Sequence, residues 1–168
     1  IIPQTPGTGY YKNFVKWLKE QEYLKTVLSG DISDYAESVK KSPLDASSNV
    51  EIYKQQDKQP VNIKIENIEV LLTSNSILEY YMRLWGTTTE ETIIILLKKR
   101  NLNPILQSGF YNNSFLLETT PDIIVIGDCK IPSTTNYKGT TIVMNGDFKT
   151  NPIFWVINLQ TRETFKTD

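Results

Sequence analysis

The sequence predicts an α+β fold in which N-terminal and central helices pack on a mainly antiparallel C-terminal sheet or meander. Three observations predict it. Apolar residues recur at helical spacing between Tyr11 and Leu28, and capping signals punctuate two further helices between Ile77 and Arg100. From Ser114 onward the chain turns to short β-rich runs separated by Gly, Pro and Asn clusters. The two textures are segregated, unlike the strand–helix alternation of a doubly wound protein. With 168 residues, 39% hydrophobic and 22% charged, the chain has the size of one domain and the make-up of a packed core.

The elements follow in order. Residues 1–9 hold Pro3, Pro6, Gly7 and Gly9 and read as an extended arm, leaving 10–168 as a single domain. A subdivision into a helical and mixed part, 10–111, and a β-rich part, 112–168, fits the same pattern. Tyr11, Phe14, Trp17, Leu18, Leu24 and Leu28 form the apolar stripe of a helix of about five turns, with Gly30 placed to stop it. A short helix and a polar loop follow over 31–49. Val50–Lys54 and Val61–Ile65 read as the two arms of a hairpin. Apolar parity then moves from odd positions through Ile65 to even ones at Ile68, Val70 and Leu72, which predicts a bulge or turn at Glu66-Asn67.

Ser76 and Glu79 make a capping-box pattern opening a helix over Ile77–Trp85, with Gly86 beyond its end. Thr88 and Glu91 repeat the pattern for a second helix that runs to Lys98-Lys99-Arg100, where cations complement the helix dipole. Four or five antiparallel strands are expected after that, at Phe115–Leu117, Ile123–Ile126, Thr140–Met144, Ile153–Ile157 and Thr164–Lys166. Turns are expected at Asn145-Gly146-Asp147 and Gln160–Glu163.

Several chemistries are excluded by composition. The chain has no histidine, so it carries no imidazole triad, imidazole zinc site or imidazole pH switch of its own. Its single cysteine, Cys129, makes no internal disulfide and reads as a small buried thiol. The 18 basic and 19 acidic side chains leave a formal charge of -1, so nucleic acid is not expected as a partner on global charge. The longest aliphatic run, Ile93–Leu97, is far short of the roughly 18 residues of a membrane helix, so no membrane span is expected. No Gly-rich phosphate loop, dinucleotide fingerprint or nucleophile elbow occurs.

One acidic constellation remains. Pro121-Asp122 before an apolar run, and Asp147-Phe148-Lys149 after another, resemble the PD-(D/E)xK nuclease signature. That resemblance implies a Mg²⁺ ion held by Asp122 and Asp147, with Lys149 activating water or stabilising charge; Glu118 would join them, and Asp128-Cys129-Lys130 is a second D-x-K that lies too close to Asp122 for the usual hairpin. In that family a helix and a strand follow the lysine, whereas here Thr150-Asn151-Pro152 and an aromatic strand do. Turn chemistry also accounts for Asp147 beside Asn145-Gly146, and it is preferred over metal catalysis. On this reading there are no catalytic residues, no metal and no cofactor, with Mg²⁺ belonging to the nuclease alternative alone.

A second resemblance covers about the last 30 residues. Thr141–Asp147, Asn151–Val156 and Asn158–Thr164 look like the paired strands of tailed-phage distal tail proteins, with Arg162 where that family's turn has glycine. It implies a virion structural protein of β-sandwich type with no catalytic residues. The 18 aromatic residues (three Trp, nine Tyr, six Phe) point the same way, since Tyr and Trp favour interfaces. Tyr80, Tyr81, Trp85, Phe110, Tyr111, Phe154 and Trp155 are the interface candidates. The expectation is therefore a non-enzymatic structural or protein–protein interaction module, a component of a viral particle or other multisubunit assembly, with protein partners or self-association and a virion or extracellular location. The alternatives are the Mg²⁺-dependent nuclease and an extracellular ligand-binding domain.

Overall fold

A computed structural model describes residues 2–3, 26–30, 50–54, 59–104, 115–146 and 153–167. Ten strands and two helices lie within them: β1 (Ile2–Pro3), β2 (Thr26–Gly30), β3 (Val50–Lys54), β4 (Val61–Ile65), β5 (Ile68–Ser74), α1 (Asn75–Trp85), α2 (Thr89–Lys99), β6 (Ile123–Cys129), β7 (Ser133–Tyr137), β8 (Thr140–Gly146), β9 (Phe154–Ile157) and β10 (Thr164–Thr167). The fold is α+β.

Its centre is a five-stranded mixed sheet in the order β4-β5-β6-β8-β7. Antiparallel pairs, β4 with β5 and β7 with β8, form its two edges, while β5, β6 and β8 run parallel through the middle. A parallel neighbour needs a crossover, and the α1–α2 pair between β5 and β6 supplies it. Parallel central strands are covered on both faces and so lose the polar alternation of a half-exposed strand. Ile123–Ile126 and Ile142–Met144 are buried throughout. Leu71, Ile124, Ile126, Ile142 and Met144 face a core shared with Leu78 and Tyr81 of α1 and Ile93 and Leu96 of α2. Val70, Leu72, Ile123, Val125 and Val143 face the other way, with Ile63 and Ile65, onto Trp155, Ile157 and Leu159 of the β9–β10 hairpin segment. Edge strand β4 keeps the alternation, with Asn62 and Lys64 exposed between buried Ile63 and Ile65.

Local signals worked where the interaction is local. The expected reversal at Glu66-Asn67 is a two-residue turn joining Ile65 to Ile68, with Glu66 at φ 54. Thr88 and Glu91 form the reciprocal capping box. Gly86 ends α1 at φ 64, in the left-handed region glycine enters without strain, and its N–H donates to the Met82 carbonyl. The Gln160–Glu163 reversal brings Ile157 opposite Thr164.

Other expectations are corrected. Ile2–Pro3 is not a free arm but pairs with Leu28-Ser29 in a parallel sheet of order β1-β2-β3. The end of the expected first helix, Leu28 through Gly30, is strand; most of that helix, 10–25, lies outside the described residues, as does 31–49. Val50–Lys54 pairs with β2, so the hairpin partner of Val61–Ile65 is β5. The α1 cap is Ser74, whose hydroxyl accepts from the Ser76 N–H at 3.1 Å, two residues before the expected capping position. Phe115–Leu117 is no strand; Leu116 makes only an isolated bridge to Asn101. Asn145-Gly146 is not a turn but the buried end of β8, because pairing with β6 outweighs local turn preference. The tight turn lies instead at Lys138-Gly139, both with positive φ (50 and 88), joining β8 to β7, a polar edge strand that carried no strand signal.

Candidate functional site

Asp122 closes the loop that leads into β6, and both of its carboxylate oxygens are taken by protein donors. Oδ2 accepts from the Glu69 N–H of β5 at 2.9 Å, and Oδ1 accepts from Arg162 Nη2 at 3.0 Å. The backbone repeats the connection: the Asp122 N–H donates to the Glu69 carbonyl and the Thr141 N–H of β8 donates to the Asp122 carbonyl, each at 2.9 Å. Thr140 Oγ1 donates to the Pro121 carbonyl at 2.9 Å. Pro121-Asp122 thus joins β5, β6, β8 and the β9–β10 turn at one point.

Arg162 reaches this point from a left-handed residue, φ 66, in that turn. Asn158 shapes the turn: its Oδ1 accepts from the N–H groups of Gln160 and Thr161, at 2.9 and 3.1 Å, and its carbonyl accepts from the Arg162 N–H at 2.8 Å. A glycine there would be unstrained but could not bridge to Asp122, which gives a physical reason for arginine at the position.

The remaining acidic candidates divide. Asp147 and Lys149 lie outside the described residues. Glu118 and Lys130 are exposed, and Asp128 sits half-buried with φ 61 where β6 shifts register against β8, a bulge. Among the described residues, no group of three His, Cys, Asp or Glu side chains is placed to hold a metal ion. Cys129 is buried; burial first, then the neighbouring Asp128 charge, pushes its thiol up to about 12, partly offset by the Asn145 backbone N–H.

Of the aromatic candidates, Tyr80 is 54% exposed on α1, one turn from Leu84 at 53%. Tyr81 is corrected to a core residue: it is 1% exposed, facing the sheet, and its hydroxyl donates to Asn103 Oδ1. Its ring meets Tyr80 edge-on at 5.3 Å and Trp85 at 4.8 Å, and Trp85 is half-buried against the same core. Trp155 is half-buried on the opposite core, with its indole Nε1 buried and unpaired. Phe110 and Tyr111 lie outside the described residues, as does the side chain of Phe154. Sequence reasoning missed Arg162 as the partner of Asp122, since the two are brought together only by the hairpin folding back over the sheet.

No protein-family model matches the chain, and no curated protein does. Among solved structures the chain is similar to one described as "Structural and Functional Characterization of a Novel Archaeal Phosphodiesterase", with 10% sequence identity, a TM-score of 0.49, and coverage of 98% of this chain and 96% of that one. Likeness at that level carries no statement about activity. Among the described residues, no helix is long and apolar enough to cross a membrane.

Proposed function

We propose that the chain is a non-enzymatic interaction module of a multisubunit assembly, a virion or another complex, acting through protein partners or self-association. The observation that carries this reading is the engagement of Asp122: the carboxylate on which a metal-dependent nuclease would depend is spent on a backbone N–H and an arginine that tie the sheet to its hairpin. A residue used in this way supports a scaffold, and the exposed Tyr80 and Leu84 on α1 add apolar surface of the kind interfaces use.

Sedimentation velocity of the full chain at micromolar concentration, alone and after native extraction, is the test. Self-association or a stoichiometric complex is expected. A strict monomer without partners counts against the module. Calorimetric titration with Mn²⁺ runs beside it; Mn²⁺ binding together with phosphodiester cleavage, both lost in Asp122→Ala, overturns the non-enzymatic reading.

A further inference from the structure

We propose that the cleft between the C-terminal end of α2 and the β7–β8 turn binds a small diphosphate-bearing anion, with Lys98, Arg100 and Lys138 as its charge partners. The proposal goes beyond the assembly reading and does not depend on it. The cleft is a partly open groove of about 420 Å³, and its lining includes these three cations together with Thr119, Thr120 and Tyr137. That volume falls in the ~300–1,000 Å³ range of small-molecule sites. No carboxylate is among its described lining residues.

Three separate elements converge here. Lys98 and Arg100 come from the end of α2, the threonines from the loop before β6, and Lys138 from the β7–β8 turn. The Lys98 and Lys138 ammonium groups lie 5.8 and 5.7 Å from the centre of the same Tyr137 ring. An aromatic face attracts each cation, and neither described ion pair, Arg83–Glu79 or Arg162–Asp122, neutralises them. An anion seated in the cleft would.

Helix capping does not account for the cluster. The Leu96 and Leu97 carbonyls of α2 are already satisfied by backbone: the Arg100 N–H donates to both, and the Asn101 N–H donates to Leu96 at 3.2 Å. Dipole complementarity explains Lys98 and Lys99 but not Lys138, which belongs to another element. Arg100 and Lys138 also occupy left-handed backbone, φ 51 and 50, where glycine or asparagine is less strained. Phosphate is favoured over a carboxylate-rich peptide because the cleft is small, the charges are three, and a guanidinium fork matches phosphate oxygens two at a time.

Isothermal titration of the full chain with inorganic pyrophosphate and with ADP, at low salt, tests this. One-to-one binding is expected, weakened about 10-fold by Lys98→Ala and about 10-fold by Lys138→Asn, the latter chosen because asparagine tolerates the left-handed turn. Lys64→Ala, on β4 at the opposite edge of the sheet, should leave binding unchanged. Absence of heat with both anions overturns the proposal, as does equal weakening by Lys64→Ala. Tighter binding of oligodeoxythymidylate or a glutamate-rich peptide than of either small anion overturns it as well.

Discussion

Replacing Asp122 by alanine removes the acceptor of two hydrogen bonds at once, from the Glu69 N–H at 2.9 Å and from Arg162 Nη2 at 3.0 Å. A hydrogen bond to a charged group contributes about 1.5–3 kcal/mol when well shielded. The side chains here are 37% exposed at Asp122 and 25% at Arg162, so the ion-pair part is reduced by solvent to about 1 kcal/mol or less. The loss expected for Asp122→Ala is therefore about 2 kcal/mol in total. Arg162→Gly removes the same ion pair but releases a residue held at φ 66, a relief of about 1 kcal/mol, so its net change should be close to zero. The double variant should then cost less than Asp122→Ala alone, since the ion pair is counted once. Urea unfolding followed by far-UV circular dichroism, with equal m-values across the four proteins, reads these differences. A gain in stability for Asp122→Ala would refute the reasoning, because removal of a strained functional carboxylate stabilises a protein whereas removal of a structural joint does not.

Further outcomes are expected. Thr88→Ala should destabilise by about 1 kcal/mol, seen as a lower urea midpoint. The Thr88 backbone N–H and hydroxyl hold Glu91 below its ordinary value of 4.5, so the capping contribution is present above that pH and fades as pH falls through the lowered value; an acid titration of helicity should show it. Cys129 should resist iodoacetamide in the folded protein and react on unfolding, and because its thiol rises from 9.0 to about 12 on folding, stability should fall as pH climbs between those values. Arg100→Gly should stabilise the fold by roughly 0.5–1 kcal/mol, seen as a higher urea midpoint, by relieving φ 51 at the end of α2, while weakening pyrophosphate binding, so that stability and binding move in opposite directions.

The sequence by itself determined what short-range hydrogen bonds decide. The Thr88–Glu91 box, the glycine ending α1, the turn at Glu66-Asn67 and the last hairpin each close within a few residues, so their signals are complete in a short window. Strand partners were decided only by the tertiary structure. Val50–Lys54 chose β2 over its sequence neighbour, and Ile123–Cys129 lies parallel between β5 and β8, because pairing is selected by the burial of whole faces across distant segments. The unbroken apolar runs at Ile123–Ile126 and Ile142–Met144 carried that information: a strand with no polar face is one covered on both sides. Asn145-Gly146 shows the converse, a local turn preference overruled by a central position in the sheet. The joint of Asp122 with Arg162 and the gathering of Lys98, Arg100 and Lys138 are likewise tertiary, since charges far apart in the chain meet only after the helices and hairpins have been folded onto the sheet.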